Sequence, residues 1–258
     1  MKTHDDIRTE VRTHYSAVAR GARPACCGPS EPLGYTPEQL AAAPGNLGLG
    51  CGNPQAIAQL RPGESVVDLG AGGGFDCFLA AAAVGPTGKV IGVDGSVDMV
   101  ALARANAEKH GAANVEFRLG EIEHLPVADG SIDVVISNCV INLAPDKAAV
   151  YRDAFRVLKL GGRLAISDVV ATSPMPAALA EDVAALCGCV SGAAPIDDLR
   201  GLLARIGFTD VRVEIEEGSR EVIAGWAPGR GFEDHVASAR ITAVRGAAAA
   251  CCPPGCCA

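Results

Sequence analysis

No stretch of this sequence reaches the roughly 18 consecutive apolar residues that a membrane-spanning helix needs. It also lacks any block of Lys or Arg: 22 basic residues face 30 acidic ones, for a net charge of −8. That balance disfavours a nucleic-acid or anionic-membrane partner. Aromatic residues are scarce, at one Trp, three Tyr and six Phe, so an aromatic-lined substrate pocket is not expected. The opening residues Met1-Lys2-Thr3-His4-Asp5-Asp6 carry charge where a secretory leader would carry an apolar core, so the expectation is a cytoplasmic protein. No internal repeat stands out, and a monomer is expected. At 258 residues the chain is long enough for one large domain with a sizeable core, or one domain with an appended piece.

Cysteine, by contrast, is abundant. Eleven residues in a chain far longer than a small disulfide scaffold point to soft-ion binding or redox chemistry more than to stapling. Cys26-Cys27 sits in a loop marked by Pro24, Gly28 and Pro29. Adjacent cysteines do not close on each other without strain, so their partner lies elsewhere. Cys51 sits in the glycine-rich stretch 46–53. Cys187 and Cys189 end a helical run that begins at Pro176. Cys251, Cys252, Cys256 and Cys257 follow an alanine run, and the Pro254-Gly255 turn between the two pairs suits soft-ion capture or a zinc site.

The chain is organised around Glu64–Leu79. Ser65–Leu69 reads as a short buried strand, followed by Gly70, Gly72, Gly73 and Gly74, then by a helical run from Phe75. A strand, a glycine turn and a helix start bring backbone N–H groups close to a polar ligand. The Gly-x-Gly-x-x-Gly/Ala dinucleotide pattern does not fit, because Phe75 occupies its sixth position. What stands instead is Asp68-x-Gly70-x-Gly72-x-Gly74, which resembles motif I of the class I S-adenosylmethionine (SAM) methyltransferases. The bland alternative is a structural glycine turn in another α/β protein.

Further strands are expected at Lys89–Asp94, 114–119, 131–137 and 163–170, alternating with helices at 96–110 and 146–160. Earlier helices are expected at 4–20, 36–43 and 54–60. Alternation of this kind implies a doubly wound α/β fold, with a mostly parallel sheet covered by helices on both faces. Ligands of such sheets gather outside the carboxyl ends of the strands. Asp94 ends the second strand, where an acid suits ribose hydroxyls, although an acid at a helix start would read the same. Met99, turned inward on the next helix, is counted with the cofactor set. Glu121, Ile122 and Glu123 follow the third strand, where related methyltransferases place an acid and a backbone N–H against adenine. Asn138 and Cys139 follow the fourth. After residue 172 the pattern changes to helices at 176–190, 195–206 and 221–226 with strands at 209–216 and 237–244. The expected organisation is N-terminal helices and cysteine loops (1–62), a SAM-binding Rossmann-like domain (63–171), a smaller C-terminal α+β substrate-binding part (172–246) and a Cys-rich tail (247–258).

Ser137-Asn138-Cys139-Val140-Ile141-Asn142-Leu143 with Pro145-Asp146-Lys147 resembles the signature of arsenite SAM methyltransferases. So do Gly50-Cys51-Gly52-Asn53-Pro54, Asp76-Cys77 and Cys189-Val190-Ser191-Gly192-Ala193. The likeness runs over nearly the whole chain. Gly95-Ser96 departs from it, because relatives commonly carry a methionine after the second-strand acid. The resemblance implies transfer of methyl groups from SAM to trivalent arsenic held by Cys51, Cys139 and Cys189, with Cys26 or Cys27 assisting. It further implies arrival of arsenic as a thiol conjugate, and a thioredoxin or glutathione-type reductant as partner. Asp68, Gly70, Gly72, Gly74, Asp94 and Asn138 would then hold the cofactor. Cys77 reads as a small buried hydrophobe. The rivals are a SAM methyltransferase of another small molecule, such as a quinone, and a non-catalytic metalloid-binding protein.

Overall fold

The computed structural model describes residues 3–23, 33–176, 179, 189–226 and 228–247. Cys26, Cys27, Cys187 and the tail cysteines, with most of the helix expected at 176–190, lie outside the described residues.

Eight strands build one sheet in the order β3-β2-β1-β4-β5-β8-β7, with the short β6 beside β5. Strand β1 (Ser65–Leu69) runs parallel to β2 (Lys89–Asp94), and β2 to β3 (Val115–Leu119). On the other side β1 pairs in parallel with β4 (Ile132–Asn138), and β4 with β5 (Leu158–Ala171). The chain thus winds outward one way from β1 and returns to continue on the other side. This reversal opens a crevice at the carboxyl ends of β1 and β4.

Alternation along the strands sorts the core into two layers. Val67, Leu69 and Val135 face one side, together with Val150 and Val157 of α6 (Lys147–Val157) and Leu203 of α7 (Ile196–Ile206). Val66, Val134 and Ile136 face the other, against Phe75 and Phe78 of α4 (Phe75–Val84) and Val100 of α5 (Val97–His110). Each fully buried valine of this kind contributes about 1.5–3 kcal/mol relative to exposure. Helices therefore cover both faces, as the alternating pattern implies.

The residues after Ala171 continue the same sheet. Strand β8 (Val236–Arg245) lies antiparallel beside β5, and β7 (Phe208–Ile215) antiparallel beside β8. Strand β6 (Ala194–Pro195) pairs with Val170 and Ala171. Helix α8 (Ser219–Trp226) lies between β7 and β8.

Strand β5 starts five residues before the expected 163, and two helices end two or more residues early. The helix expected to run to Leu160 stops at Val157, because Leu158 is fully buried and its backbone pairs with Ile132 of β4. The helix expected to reach Leu60 is α3 (Pro54–Ala58), which ends where Gln59 turns left-handed at φ 46°. The N-terminal α1 (His4–Ala19) starts on a Thr3/Asp6 capping box, and α2 (Pro37–Ala42) starts on Thr36 with Pro37 in the first turn.

Candidate functional site

A single cavity at the carboxyl ends of β1, β2 and β4 is lined by Asp68, Gly70, Gly72, Asp94, Glu121, Ile122, Glu123, Asn138 and Cys139. These positions come from four separate segments of the sequence. Gly74 and Met99, also expected to contact the cofactor, are not part of the lining. Gly74 starts α4 at φ 94°, and a Cβ there would fall 2.7 Å from the rings of Phe117 and Phe78, so its task is close packing. Met99 is 1% exposed beneath the floor, its N–H donating to Ser96 Oγ at 3.3 Å.

The glycine turn is held by its own backbone. Gly70 and Ala71 donate N–H groups to the Val93 carbonyl at 2.8 and 3.0 Å. Gly70 sits at φ 69°, and a Cβ there would meet Val140 at 2.5 Å. Gly72 donates to Asp94 Oδ2 at 2.9 Å while Ser96 donates to Oδ1 at 2.8 Å. Asp94 therefore fastens the turn to the tip of β2, and Ser96, not Asp94, caps α5. Each oxygen of Asp94 keeps accepting capacity for a ligand hydroxyl.

Two buried carboxylates face this cavity. Asp68 accepts the Cys77 thiol at 3.2 Å. Asp76 accepts the Tyr35 hydroxyl on both oxygens at 2.8 and 3.0 Å, and the Asn138 amide at 3.2 Å. Burial pushes both acids above the usual carboxylate range, and their mutual repulsion adds to the rise at Asp68. Neither has a Lys or Arg partner among the described residues. Two buried acids without a counter-cation are ionised at least cost beside a cationic ligand, which makes this a site for one. SAM fits this donor set, since it carries an ammonium and a sulfonium charge.

Helix α1 walls the cavity with Arg8, Val11, Arg12 and Tyr15. Arg8 pairs with Glu123 at 3.1 Å, Arg12 with Glu121 at 3.4 Å and Arg20 with Asp98 at 2.6 Å. Ser16 and Ser96 share a hydrogen bond of 2.9 Å. The helix is expected from the sequence at 4–20, but nothing in the sequence signals that it would cover the cavity. Tyr35, Asp76 and Gly50 also line it without having been expected to.

Beside the cavity the surroundings turn apolar. Cys51, Cys139 and Cys189 pack together with Leu143, Val169, Val190, Ile223, Phe232 and Val236. All three cysteines are at most 2% exposed, yet they arrive from the loop before α3, the end of β4 and the turn before β6. Cys139 and Cys189 both adopt left-handed backbone, at φ 58° and 61°. Such conformations cost about 1–3 kcal/mol each and concentrate at functional sites. The Cys139 N–H donates to Ser167 O at 2.8 Å, the Cys51 thiol to the same carbonyl at 3.6 Å, and the Cys189 thiol to Cys139 O. Burial pushes the Cys139 thiol well above its ordinary value.

Asp168 completes this corner. One of its oxygens and the sulfurs of Cys51 and Cys139 all lie within 4.8 Å of one another. Its carboxylate accepts N–H groups from Val169 and Ile141 and the Asn142 amide. Burial still pushes it up to about 7. The signal that could have found it is a charge inside the otherwise apolar strand stretch Leu164–Val170. Cys77 is fully buried, as expected of a packing residue, and its thiol also bonds Asp68.

Residues 60–207 match a family of methyltransferase domains. The chain is 47% identical, over 93% of its length, to the arsenite methyltransferase of Halobacterium salinarum, of which the match covers 66%. It is 34% identical to the mouse enzyme of the same name, over 81% of this chain and 60% of that protein. The chain thus spans about two thirds or less of the length of these curated relatives. A crystal structure of an arsenic(III) S-adenosylmethionine methyltransferase from Chlamydomonas reinhardtii superposes with a TM-score of 0.63 at 32% identity, covering 89% of this chain and 76% of that one. The phosphoethanolamine N-methyltransferase 2 of Haemonchus contortus shares the fold at TM-score 0.70 and 18% identity, over 96% of this chain and 61% of that one.

Proposed function

The chain belongs to the arsenite methyltransferase family of class I SAM-dependent enzymes, and from that premise we propose that it transfers methyl groups from SAM to trivalent arsenic held by cysteine thiolates. The observation that carries this reading is the junction of the two environments. Cys139 lines the cavity that Asp68 and Asp94 also line, it packs with Cys51 and Cys189, and its sulfur lies within 4.8 Å of that of Cys51.

Asp68 and Asp76 would hold the cationic end of the cofactor, Asp94 the ribose, and Glu121 to Glu123 the adenine. When bound, the cofactor supplies a methyl group on an electron-poor sulfonium sulfur. The chain's own residues do the rest by placement. Thiolates are soft ligands that select arsenic(III) over hard ions. Arsenite is an uncharged acid near neutral pH, so a basic pocket would gain nothing, in keeping with a sulfur corner lined by apolar side chains. As arsenic is captured, each Cys51, Cys139 or Cys189 thiol replaces one arsenic-bound hydroxide or carrier thiolate, and its proton leaves as water or free thiol. The arsenic lone pair carries no proton, so no general base is needed for the transfer. Holding two reactants in an attack geometry is worth up to roughly 7–11 kcal/mol.

Methyl transfer oxidises arsenic by two electrons, and two thiols that close to a disulfide return them. A thioredoxin or glutathione-type dithiol would then reduce that disulfide for the next cycle. Cys26 or Cys27 is the natural thiol partner for this step and for the first capture. We further propose that the protein acts in the cytoplasm as a monomer, and that the tail cysteines scavenge or deliver the ion. We also propose an organisation into an N-terminal part (1–62), a cofactor-binding part (63–171), a substrate-binding part (172–246) and a Cys-rich tail (247–258).

Incubation with arsenite, a reduced thiol and methyl-labelled SAM tests the reading directly. Labelled methylarsenicals are the expected product. Arsenite bound with no SAM turnover would make the chain a metalloid-binding protein instead. Label appearing only in a quinone or other small molecule would equally overturn the proposal.

A further inference from the structure

The cofactor cavity and the sulfur corner are joined by an unbroken chain of hydrogen bonds. Tyr35, just ahead of α2, is 6% exposed and donates its hydroxyl to both oxygens of Asp76. The same oxygen accepts the Asn138 amide at 2.9 Å. Asn138 in turn grips the Cys51 loop from two directions. Its amide donates to the Gly52 carbonyl at 2.8 Å, and its side-chain oxygen accepts the Cys51 N–H at 3.0 Å. The loop lies directly on this side chain, since a Cβ at Gly50 would fall 2.6 Å from the Asn138 amide nitrogen. Rotation of Asn138 would break its bonds to Asp76, to Tyr35 and to both backbone groups of the loop together.

Resting on the function proposed above, we infer that Tyr35 is a positioning residue that couples the two sites: through Asn138 it fixes the Cys51 loop in its arsenic-binding place when the cofactor cavity is filled. The physical basis is the charge on Asp76. A cation beside this carboxylate keeps it ionised in a buried setting, and an ionised acceptor makes the stronger hydrogen bonds. Tyr35 and Asn138 are then held more firmly, and with them the backbone on either side of the Cys51 α-carbon. A hydroxyl is needed at position 35 because it must donate to Asp76 and accept from Asn138 at once. A phenylalanine would keep the edge-to-face packing on Phe75, with ring centroids 5.1 Å apart, while losing both bonds. Coupling between binding sites is reciprocal, so arsenic must tighten cofactor binding by the same factor.

S-adenosylhomocysteine is the probe, because it retains the ammonium group and has no methyl to transfer. Equilibrium dialysis of arsenite with and without it gives the coupling factor. For the wild type we expect arsenite to bind about tenfold more tightly with the probe present, within the usual range of such couplings. Tyr35→Phe should bring the factor below about twofold. Gln55→Ala is the discriminating control. Gln55 also donates to Asp76, at 3.4 Å to Oδ1 and 3.0 Å to the backbone carbonyl, but among the described residues it has no hydrogen bond to Asn138, so its loss should leave the coupling in place. Should Tyr35→Phe fail to fold, Asn138→Asp cuts the same link, keeping an acceptor for the Cys51 N–H while replacing the donor with a like charge. Arsenite binding with an unchanged factor in these variants, or with no coupling in the wild type, overturns the inference and leaves the proposed function standing. Failure of the wild type to bind arsenite at all overturns both.

Discussion

The two halves of the cleft solve opposite physical problems. The cofactor half carries the acids Asp68, Asp76 and Asp94, and it is fastened by one glycine turn to the tips of β1 and β2. The sulfur half is apolar, with Cys51, Cys139 and Cys189 set among Leu143, Val169, Val190 and Phe232. One half suits a doubly cationic ligand that brings its own charge. The other suits a neutral, soft one, with the Asp168 carboxyl set beside its sulfurs. They meet at Asn138-Cys139, where consecutive residues belong one to each half, and the left-handed backbone of Cys139 is the strained joint between them. The contrast teaches that one β-strand end can feed two chemically unlike sites, provided that the backbone turns sharply there.

If the halves are separable in this way, mutations should divide cleanly between them. The largest effect is expected from Cys139→Ser or Cys189→Ser. Each should cost about 100-fold or more in methylation of both arsenite and methylarsonous acid, by loss of the attack geometry. Affinity of the arsenic-free protein for S-adenosylhomocysteine, measured by calorimetry, should move by less than about twofold, because the acids and backbone groups of the cofactor half are untouched. A comparable loss of cofactor affinity would break the separation. Asp68→Asn should do the reverse. It removes a charge-assisted contact to the cofactor and should raise the SAM dissociation constant about tenfold or more, leaving arsenite capture in cofactor-free protein unchanged in a dialysis assay.

How far each half could be read in the sequence follows from how it is built. Residues 65–76 are contiguous, and a strand, a glycine turn and a helix start announce themselves locally. Hence Asp68, Gly70, Gly72 and Asp94 could be named from spacing alone, and they do lie in one cavity. The sulfur half has no local signature. Cys51, Cys139 and Cys189 meet only because the strand order returns the chain to the same crevice, and family resemblance was the only sign that they belong together. Asp168 went unnoticed although an acid inside an apolar strand is costly without partners. Gly74 and Met99, expected beside the cofactor, fall outside the cavity lining. Both sit in the motif neighbourhood, but one packs against Phe78 and Phe117 and the other under the floor. Tyr35 had no local pattern at all, since its role depends on Asp76 and Asn138, far along the chain.

A smaller expected effect sharpens the sulfur half itself. A methylated arsenic has one valence fewer for a thiolate, so Cys51→Ser should lose about tenfold in rate with arsenite and less than about twofold with methylarsonous acid. Equal losses on the two substrates, assayed side by side, would remove the division of labour among the cysteines.

The smallest effect concerns stability. The Asp168 carboxyl is pushed up to about 7 by burial, so the folded protein keeps a proton that the unfolded chain releases near about pH 4. Its contribution is therefore complete below that lower value and is lost as pH rises through about 7. Between about pH 6 and about pH 8 the ligand-free protein should lose about 1 kcal/mol from this group. Burial shifts Asp68 and Asp76 in the same direction, so their contributions carry the same sign. Denaturant titrations should show a shallower pH dependence in Asp168→Asn. An unchanged slope would mean that the carboxyl beside the sulfurs stays ionised throughout.

Arsenic X-ray absorption on the arsenite-loaded, cofactor-free protein addresses the convergence of sulfur most directly. A first shell of three sulfurs is expected in the wild type, dropping to two in Cys189→Ser and in Cys139→Ser. A shell made mainly of oxygen, or a sulfur count untouched by both substitutions, would contradict it.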